Sequence, residues 1–220
     1  MAQDLADATL DELREALAPI IAANAAFDGW NGAALDAAAD SLGVDRDVAH
    51  LAFPGGAVTM IDAWFASIDR ALAERFTPEA LAAMKIRQRI TTLVEARLDI
   101  ASPDREALRR ALAILAMPQN AARGAKLGWR SADVMWRLAG DSATDYNHYT
   151  KRAMLGGIYA ATVAVFLQDD SDSHADTRAF LARRIENIMQ FEKAKAQFLG
   201  RTTHRPSLSR LIGRLRYPAI

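Results

Sequence analysis

Apolar residues recur at helical spacing along nearly the whole chain. Thr9 and Glu12 form a capping box, and Leu13, Leu17, Ile20 and Ile21 follow it, which predicts a helix over Thr9–Ala25. Asp28–Gly32 reads as a turn. The stretch Ala33–Phe53 divides at Gly43 into two short helices with Val44 between them, the spacing of a helix-turn-helix. Ala57–Phe76 places Val58, Ile61, Trp64, Phe65, Ile68 and Leu72 on one stripe and Asp69, Arg70 and Glu74 on the other side. Thr77-Pro78 restarts the chain. A helix over Ala80–Ile100 turns Met84, Ile90, Leu93, Val94 and Leu98 inward and leaves Arg87, Arg89, Glu95 and Arg97 for exposed pairs. Ser102-Pro103 opens a helix that buries Leu108, Leu112 and Leu115, and Met117-Pro118 ends it. Pro118–Ala139 carries Leu127, Trp129, Val134, Trp136 and Leu138 before the stop at Gly140-Asp141.

Two adjacent stretches then contrast sharply. Gly140–Arg152 is the densest polar and aromatic run, and Ala153–Leu167 is the longest nearly apolar one. Together they read as an exposed recognition edge on an apolar interior. Gln168–Asp176 is a polar loop, Asp176–Leu199 a long helix, and Arg201–Arg205 a linker. In the tail, Leu208, Leu211, Ile212 and Leu215 recur at helical spacing, with Arg210, Arg214 and Arg216 to the other sides. The Ala- and Leu-rich composition, without β-branched runs, agrees with an all-α protein.

Charge is balanced overall, with 27 basic and 27 acidic residues, but not along the chain. Residues 1–55 hold ten acidic residues against two basic, and residues 201–220 hold five arginines and no acid. An acidic head disfavours nucleic acid, and a basic amphipathic tail suits an anionic membrane surface. The membrane contacts are Leu208, Arg210, Leu211, Ile212, Arg214 and Leu215. There is no cysteine, hence no disulfide and no thiol chemistry. The acidic N-terminus has neither signal-peptide nor transit-peptide character. Residues 153–167 fall short of the roughly 20 that span a bilayer. The expectation from these features is a cytoplasmic protein, peripheral on the inner membrane of a bacterium.

No catalytic motif competes for attention. None of His50, His148, His174 and His204 sits four residues from another, and no Glu-x-x-His pair occurs, so no metal site is expected. G-x-S-x-G, the P-loop and G-x-G-x-x-G are absent. The reading is a binding protein and not an enzyme, without a cofactor.

The 33–53 module resembles the N-terminal module of TetR-type regulators, down to its Gly-Val turn and aromatic-Pro exit. Its second helix, however, offers Asp45, Arg46, Asp47 and His50, and Gly55-Gly56 stand where such regulators carry a lysine. Base reading needs Arg, Lys, Asn or Gln, and phosphates need cations. A transcriptional regulator with a hydrophobic effector is therefore kept as the alternative.

A wider resemblance rests on Ala52-Phe-Pro-Gly-Gly-Ala57, Lys85-Ile-Arg87 with Arg97-Leu98, Arg105-Glu-Ala-Leu-Arg-Arg110 and Leu127-Gly-Trp-Arg130. It continues with Trp136, Gly140-Asp141, Thr144-Asp-Tyr-Asn147 and Tyr149-Thr-Lys-Arg152. These resemble the Coq-nine family of ubiquinone-biosynthesis proteins over about Ala33–Leu199. His148 stands where that family is expected to carry an aromatic residue. The resemblance implies a TetR-like homodimer that does not bind DNA. It further implies a pocket for an isoprenoid quinone or phospholipid, a face that docks the demethoxyubiquinone hydroxylase, and a terminal amphipathic membrane helix.

The candidate lipid-binding residues are Met84, Ile90, Leu93, Leu112, Leu115, Trp136, Met154, Leu155, Ile158 and Tyr159. Periodicity alone reads them as ordinary core, and the resemblance makes them a lipid tunnel. Gly156, Gly157, Ala160 and Ala161 leave room beside a helix, or else serve close packing or a dimer seam. The candidate partner face is Asp141, Asp145, Tyr146, His148, Tyr149, Lys151 and Arg152; its aromatics and arginine suit an interface centre. The domains expected are a degenerate helix-turn-helix module over 1–56, a lipid-binding and dimerisation domain over 57–200, and a linker with an amphipathic helix over 201–220. The function expected is a non-catalytic accessory protein that presents quinone intermediates to the hydroxylase.

Overall fold

The computed structural model describes residues 5, 7–142 and 146–187, with the backbone alone for Tyr146 and Asn147. Asp145, the helix expected around Leu208–Leu215, and the part beyond 187 of the helix expected over Asp176–Leu199 lie outside the described residues. The chain divides into two compact units, 1–181 and 182–220; in the second, residues 182–187 are helical. Among the described residues every regular element is a helix, as the periodicity predicts.

Helix α1 spans Leu10–Asp28, capped by the Thr9–Glu12 box and carrying Pro19 in its interior. It runs three residues past the predicted end. Helix α2 (Gly32–Leu42) and α3 (Arg46–Ala52) form the helix-turn-helix. Gly43 closes α2 at φ 66°, and the Val44 amide donates to the Ala39 carbonyl at 2.9 Å. A left-handed residue in this turn favours glycine because a Cβ meets the carbonyl. Helix α4 (Ala57–Arg75) buries Met60, Ile61, Trp64, Phe65, Ile68 and Leu72. Its Trp64 ring lies 5.4 Å from Trp30, whose indole N–H donates to the Ala107 carbonyl, and 5.5 Å from Phe65.

The predicted single helix Ala80–Ile100 is two: α5 (Pro78–Ala82) and α6 (Ile86–Ala101). Arg89 explains the break. Its guanidinium donates to the carbonyls of Met84 and Ala82 at the exposed end of α5, and to that of Ala139 at 2.8 Å. One cation thus satisfies orphaned carbonyls at two helix ends. Gly140, at φ 89°, gives it room: a Cβ there would lie 3.3 Å from the guanidinium.

After a 3₁₀ turn at Ser102–Asp104 come α7 (Arg105–Leu115), α8 (Ala121–Leu138) and α9 (Tyr146–Phe166). Pro118 falls in the turn before α8 and not in the helix. Arg109 donates to the Leu167 carbonyl and Arg105 to that of Asp169, so the arginines of α7 close the C-terminal end of α9.

Asp169 organises the turn that follows. Its carboxylate accepts from the amide and hydroxyl of both Ser171 and Thr177. These bonds, the Ser171 hydroxyl first, hold its pKa far below the ordinary carboxylate value. A depressed carboxylate adds stability above the unfolded pKa, near 3.9, and loses it as pH falls below that value. Asp169→Asn places an amide N–H against these donors. It is expected to cost about 1–2 kcal/mol at pH 7, and the difference from the parent should shrink below about pH 4 in acid titrations of stability.

Two charged positions break the expected pattern. Asp69 and Arg97, read as exposed, are both buried and paired at 2.9 Å. Asp69 follows Phe65 by four residues and Arg97 follows Leu93 by four, so each lies on the inward stripe of its helix.

Candidate functional site

Helices α8 and α9 are antiparallel neighbours, and small residues decide what lies between them and α7. On α8, Gly124, Ala125 and Gly128 present no bulk; on α9, Gly156 and Ala160 do the same. The space left is an apolar pocket of about 460 Å³, roofed by Leu108, Leu112 and Leu115 of α7 and bounded by Phe65 of α4. This volume lies within the usual range for small-molecule sites. At Gly128 a Cβ would meet no heavy atom within 4 Å, whereas at Gly124 it would lie 3.2 Å from Leu115.

One end of the pocket is polar. Ser131, Tyr159 and Phe65 border it and all three touch Arg97. The Arg97 guanidinium donates to the Ser131 hydroxyl at 2.6 Å and sits over the rings of Tyr159 and Phe65 at 5.4 and 5.8 Å. Asp69 balances it, and Arg130 reaches the same carboxylate at 3.4 Å while pairing with Asp62. Burial raises the Asp69 pKa despite both cations, and burial likewise raises that of Tyr159.

Of the ten residues expected to line a lipid site, Leu112, Leu115 and Tyr159 line this pocket. Ile90, Leu93 and Leu155 are buried in the core, and Met84, Trp136, Met154 and Ile158 are half-buried away from the pocket lining. The lining residues that the apolar stripe did not reveal are chiefly Gly124, Ala125, Gly128 and Ser131. The G-x-x-x-G spacing on α8, facing Gly156 and Ala160 four apart on α9, was the available signal.

The edge after Gly140 also separates into two groups. Asp141 and Arg152 are turned inward, which takes them off the exposed face. Arg152 pairs with Asp133 and Asp141 and donates to the His148 carbonyl. Lys151 pairs with Asp141 at 2.6 Å and lies over Trp136, whose indole N–H donates to the Lys151 carbonyl. Lys151 and Arg152, with burial opposing them, hold Asp141 below the ordinary carboxylate value. A buried carboxylate needs such partners, and here they fasten the start of α9 to the end of α8. Tyr149 is 61% exposed, with His148 at 5.1 Å and Trp129 of α8, itself 37% exposed, at 6.1 Å. Trp129 was not among the expected face residues, although it falls off the inward stripe Leu127–Ser131–Met135. Asp145 and the Tyr146 side chain lie outside the described residues.

The recognition helix of the helix-turn-helix is electrically closed. Arg46 pairs with Asp40 through two bonds, and His50 bonds to Asp36 at 2.8 Å. Its outward surface includes Val48 and Leu51, the latter 65% exposed.

Residues 121–192, which hold α8 and α9, match the COQ9 family model. The chain is 35% identical over 167 residues to "Ubiquinone biosynthesis protein COQ9, mitochondrial" of Rattus norvegicus, covering 73% of this chain and 54% of that protein. The Homo sapiens protein of the same name is 34% identical, with 73% and 52% covered. The chain thus spans about half the length of these curated relatives. In structure it is similar to a TetR transcriptional regulator from Nitrosomonas europaea ATCC 19718. The TM-score is 0.64 at 22% identity, over 80% of this chain and 97% of that one, which speaks for the fold alone. The relatives' names place them in mitochondria, which overturns the expectation of a cytoplasmic protein on a bacterial inner membrane. The chain is similar to the COQ9 family over most of its length and is built on a TetR-like fold.

Proposed function

We propose that this protein is a non-catalytic, dimeric accessory factor of ubiquinone biosynthesis. It holds an isoprenoid quinone intermediate in the α7–α8–α9 pocket and brings it to the demethoxyubiquinone hydroxylase. The observation that carries the reading is the apolar pocket walled by small residues of α8 and α9, within the segment that matches the COQ9 family model. The relatives' names supply the pathway. The driving force for uptake is burial of the apolar tail, at about 25 cal/mol per Å². The exposed Trp129–Tyr149 pair is the docking face, because clustered aromatics at a surface supply interface hot spots. The arginine-rich segment Leu208–Leu215, whose sequence spacing is that of an amphipathic helix, brings the complex to an anionic membrane surface.

The regulator alternative lacks support in the charge of α3, whose Arg46 and His50 are engaged by neighbouring carboxylates rather than available to phosphates. The reading is tested with Tyr149→Asp in a pull-down of the hydroxylase. Binding should fall at least about tenfold, as for an interface hot spot, while thermal stability stays within about 0.5 kcal/mol of the parent. Unchanged hydroxylase binding would remove the docking face from this account.

A further inference from the structure

We propose that the turn between α7 and α8, residues 116–120, is a membrane contact in its own right. It enters the headgroup region of an anionic bilayer and sets the mouth of the α7–α8–α9 pocket against it. The use of that mouth rests on the reading of the pocket as a lipid site; the contact itself does not.

Charge singles out the turn. Residues 111–122 carry no charged side chain, and residues 107–132 hold five cations, Arg109, Arg110, Arg123, Lys126 and Arg130, and no acid. Arg109 and Arg110 pair with Glu106, and Arg123 and Arg130 pair with Asp62. Five cations against these two acids leave a surplus of three positive charges around an uncharged tip. An apolar tip with a basic border is the pattern of a segment that meets anionic lipid. Residues 1–55, with ten acids against two bases, have the opposite character and are repelled by the same surface.

The tip is exposed, and its backbone is provided for. Met117 is 44% exposed, and Ala113, Ala116, Pro118, Ala121 and Ala122 are exposed with it. Lipid penalises unpaired backbone groups. Here the Asn120 side-chain amide donates back to the Ile114 carbonyl at 2.9 Å, the Asn120 backbone amide to the Met117 carbonyl at 2.8 Å, and the Met117 amide to the Ile114 carbonyl at 3.2 Å. Pro118 has no N–H to leave unpaired. Gln119 turns its amide onto the Met117 sulfur at 3.5 Å. The first turn of α8 has no side-chain cap and contains Arg123, so its amides and that cation meet lipid phosphates at the same depth.

The tip also adjoins the pocket. Ala116, Ala121 and Ala125 line the cavity and are exposed, whereas Phe65, Leu108 and Ser131 line it and are buried. The cavity therefore opens beside the turn. Set against a bilayer, that opening faces lipid and not water, and an apolar cargo passes from one to the other without the cost of crossing solvent.

The chain has no cysteine, so a single introduced thiol takes a label at one known place. Met117→Cys in the full chain carries an environment-sensitive fluorophore. Leu51→Cys, at a position 65% exposed on α3 in the acidic stretch, carries the same fluorophore as the control. Phosphatidylcholine vesicles containing phosphatidylglycerol should shift the emission at 117 to the blue and leave that at 51 unchanged. Unlabelled Met117→Asp should keep the melting temperature of the parent and partition about tenfold less onto these vesicles, the worth of one methionine side chain taken out of water. No shift at 117 in protein shown to have bound the vesicles would overturn the contact, and so would equal shifts at 117 and 51. Either result would leave the pocket reading standing, because lipid in an extract of the purified protein decides that separately.

Discussion

Gly128→Leu is expected to give a folded protein that carries no lipid. Gly128 lies on the pocket wall, and no heavy atom lies within 4 Å of a Cβ added there, so the new side chain has room to project into the cavity. A leucine occupies a substantial part of the 460 Å³ available. Its effect on the fold points the other way. Glycine inside a helix is about 1 kcal/mol less favourable than a good helix former, and burial of the leucine adds to that difference. The melting temperature should hold or rise while bound lipid per chain falls below about a tenth of the parent value, since the site is filled. Gly124→Leu is the informative contrast: Leu115 stands 3.2 Å from the new Cβ, so the same substitution one turn earlier strains the α7–α8 contact and should destabilise. A Gly128→Leu protein with a full load of lipid would mean that the ligand sits elsewhere.

Asp69→Ala should produce the largest loss of stability. It leaves the Arg97 guanidinium buried against Phe65 and Tyr159 without its counter-ion, at a cost of about 3–5 kcal/mol. Replacing both partners by apolar residues, Asp69→Leu with Arg97→Met, should recover much of it, because the penalty belongs to the unpaired charge and not to the missing bond. The pH dependence follows from the raised pKa of Asp69. A carboxylate whose folded pKa lies above its unfolded value binds the proton more tightly when folded, so its contribution to stability declines as pH rises from about 3.9 through the raised value. That slope should vanish in both variants. Chemical denaturation at several pH values measures the loss and the slope together.

How legible the molecule was depends on what each signal encodes. Capping and periodicity report local backbone preferences and inward faces, and they placed α1, the helix-turn-helix and α4 correctly. They failed where a long-range contact decided the local outcome. The break between α5 and α6 is held by Arg89, which also reaches Ala139, some 50 residues away. Chemistry misled where spacing was right: Asp69 and Arg97 occupy inward positions, but their charge argued for solvent until each was seen to be the other's partner. The pocket was mostly hidden for a third reason. An apolar stripe marks what faces inward, whereas a cavity arises where facing helices both carry small residues, as at Gly128 and Gly156. The polar run after Gly140 was readable as a site of importance, yet its residues divide between a buried charged fastening, Asp141 and Arg152, and an exposed aromatic, Tyr149.

The central claim is that a lipid occupies the pocket, and mass spectrometry of an organic extract of the purified, folded protein tests it most directly. The account predicts an isoprenoid quinone or its precursor at close to one per chain in the parent and almost none in Gly128→Leu. An extract from the folded parent that contains no such lipid would contradict it.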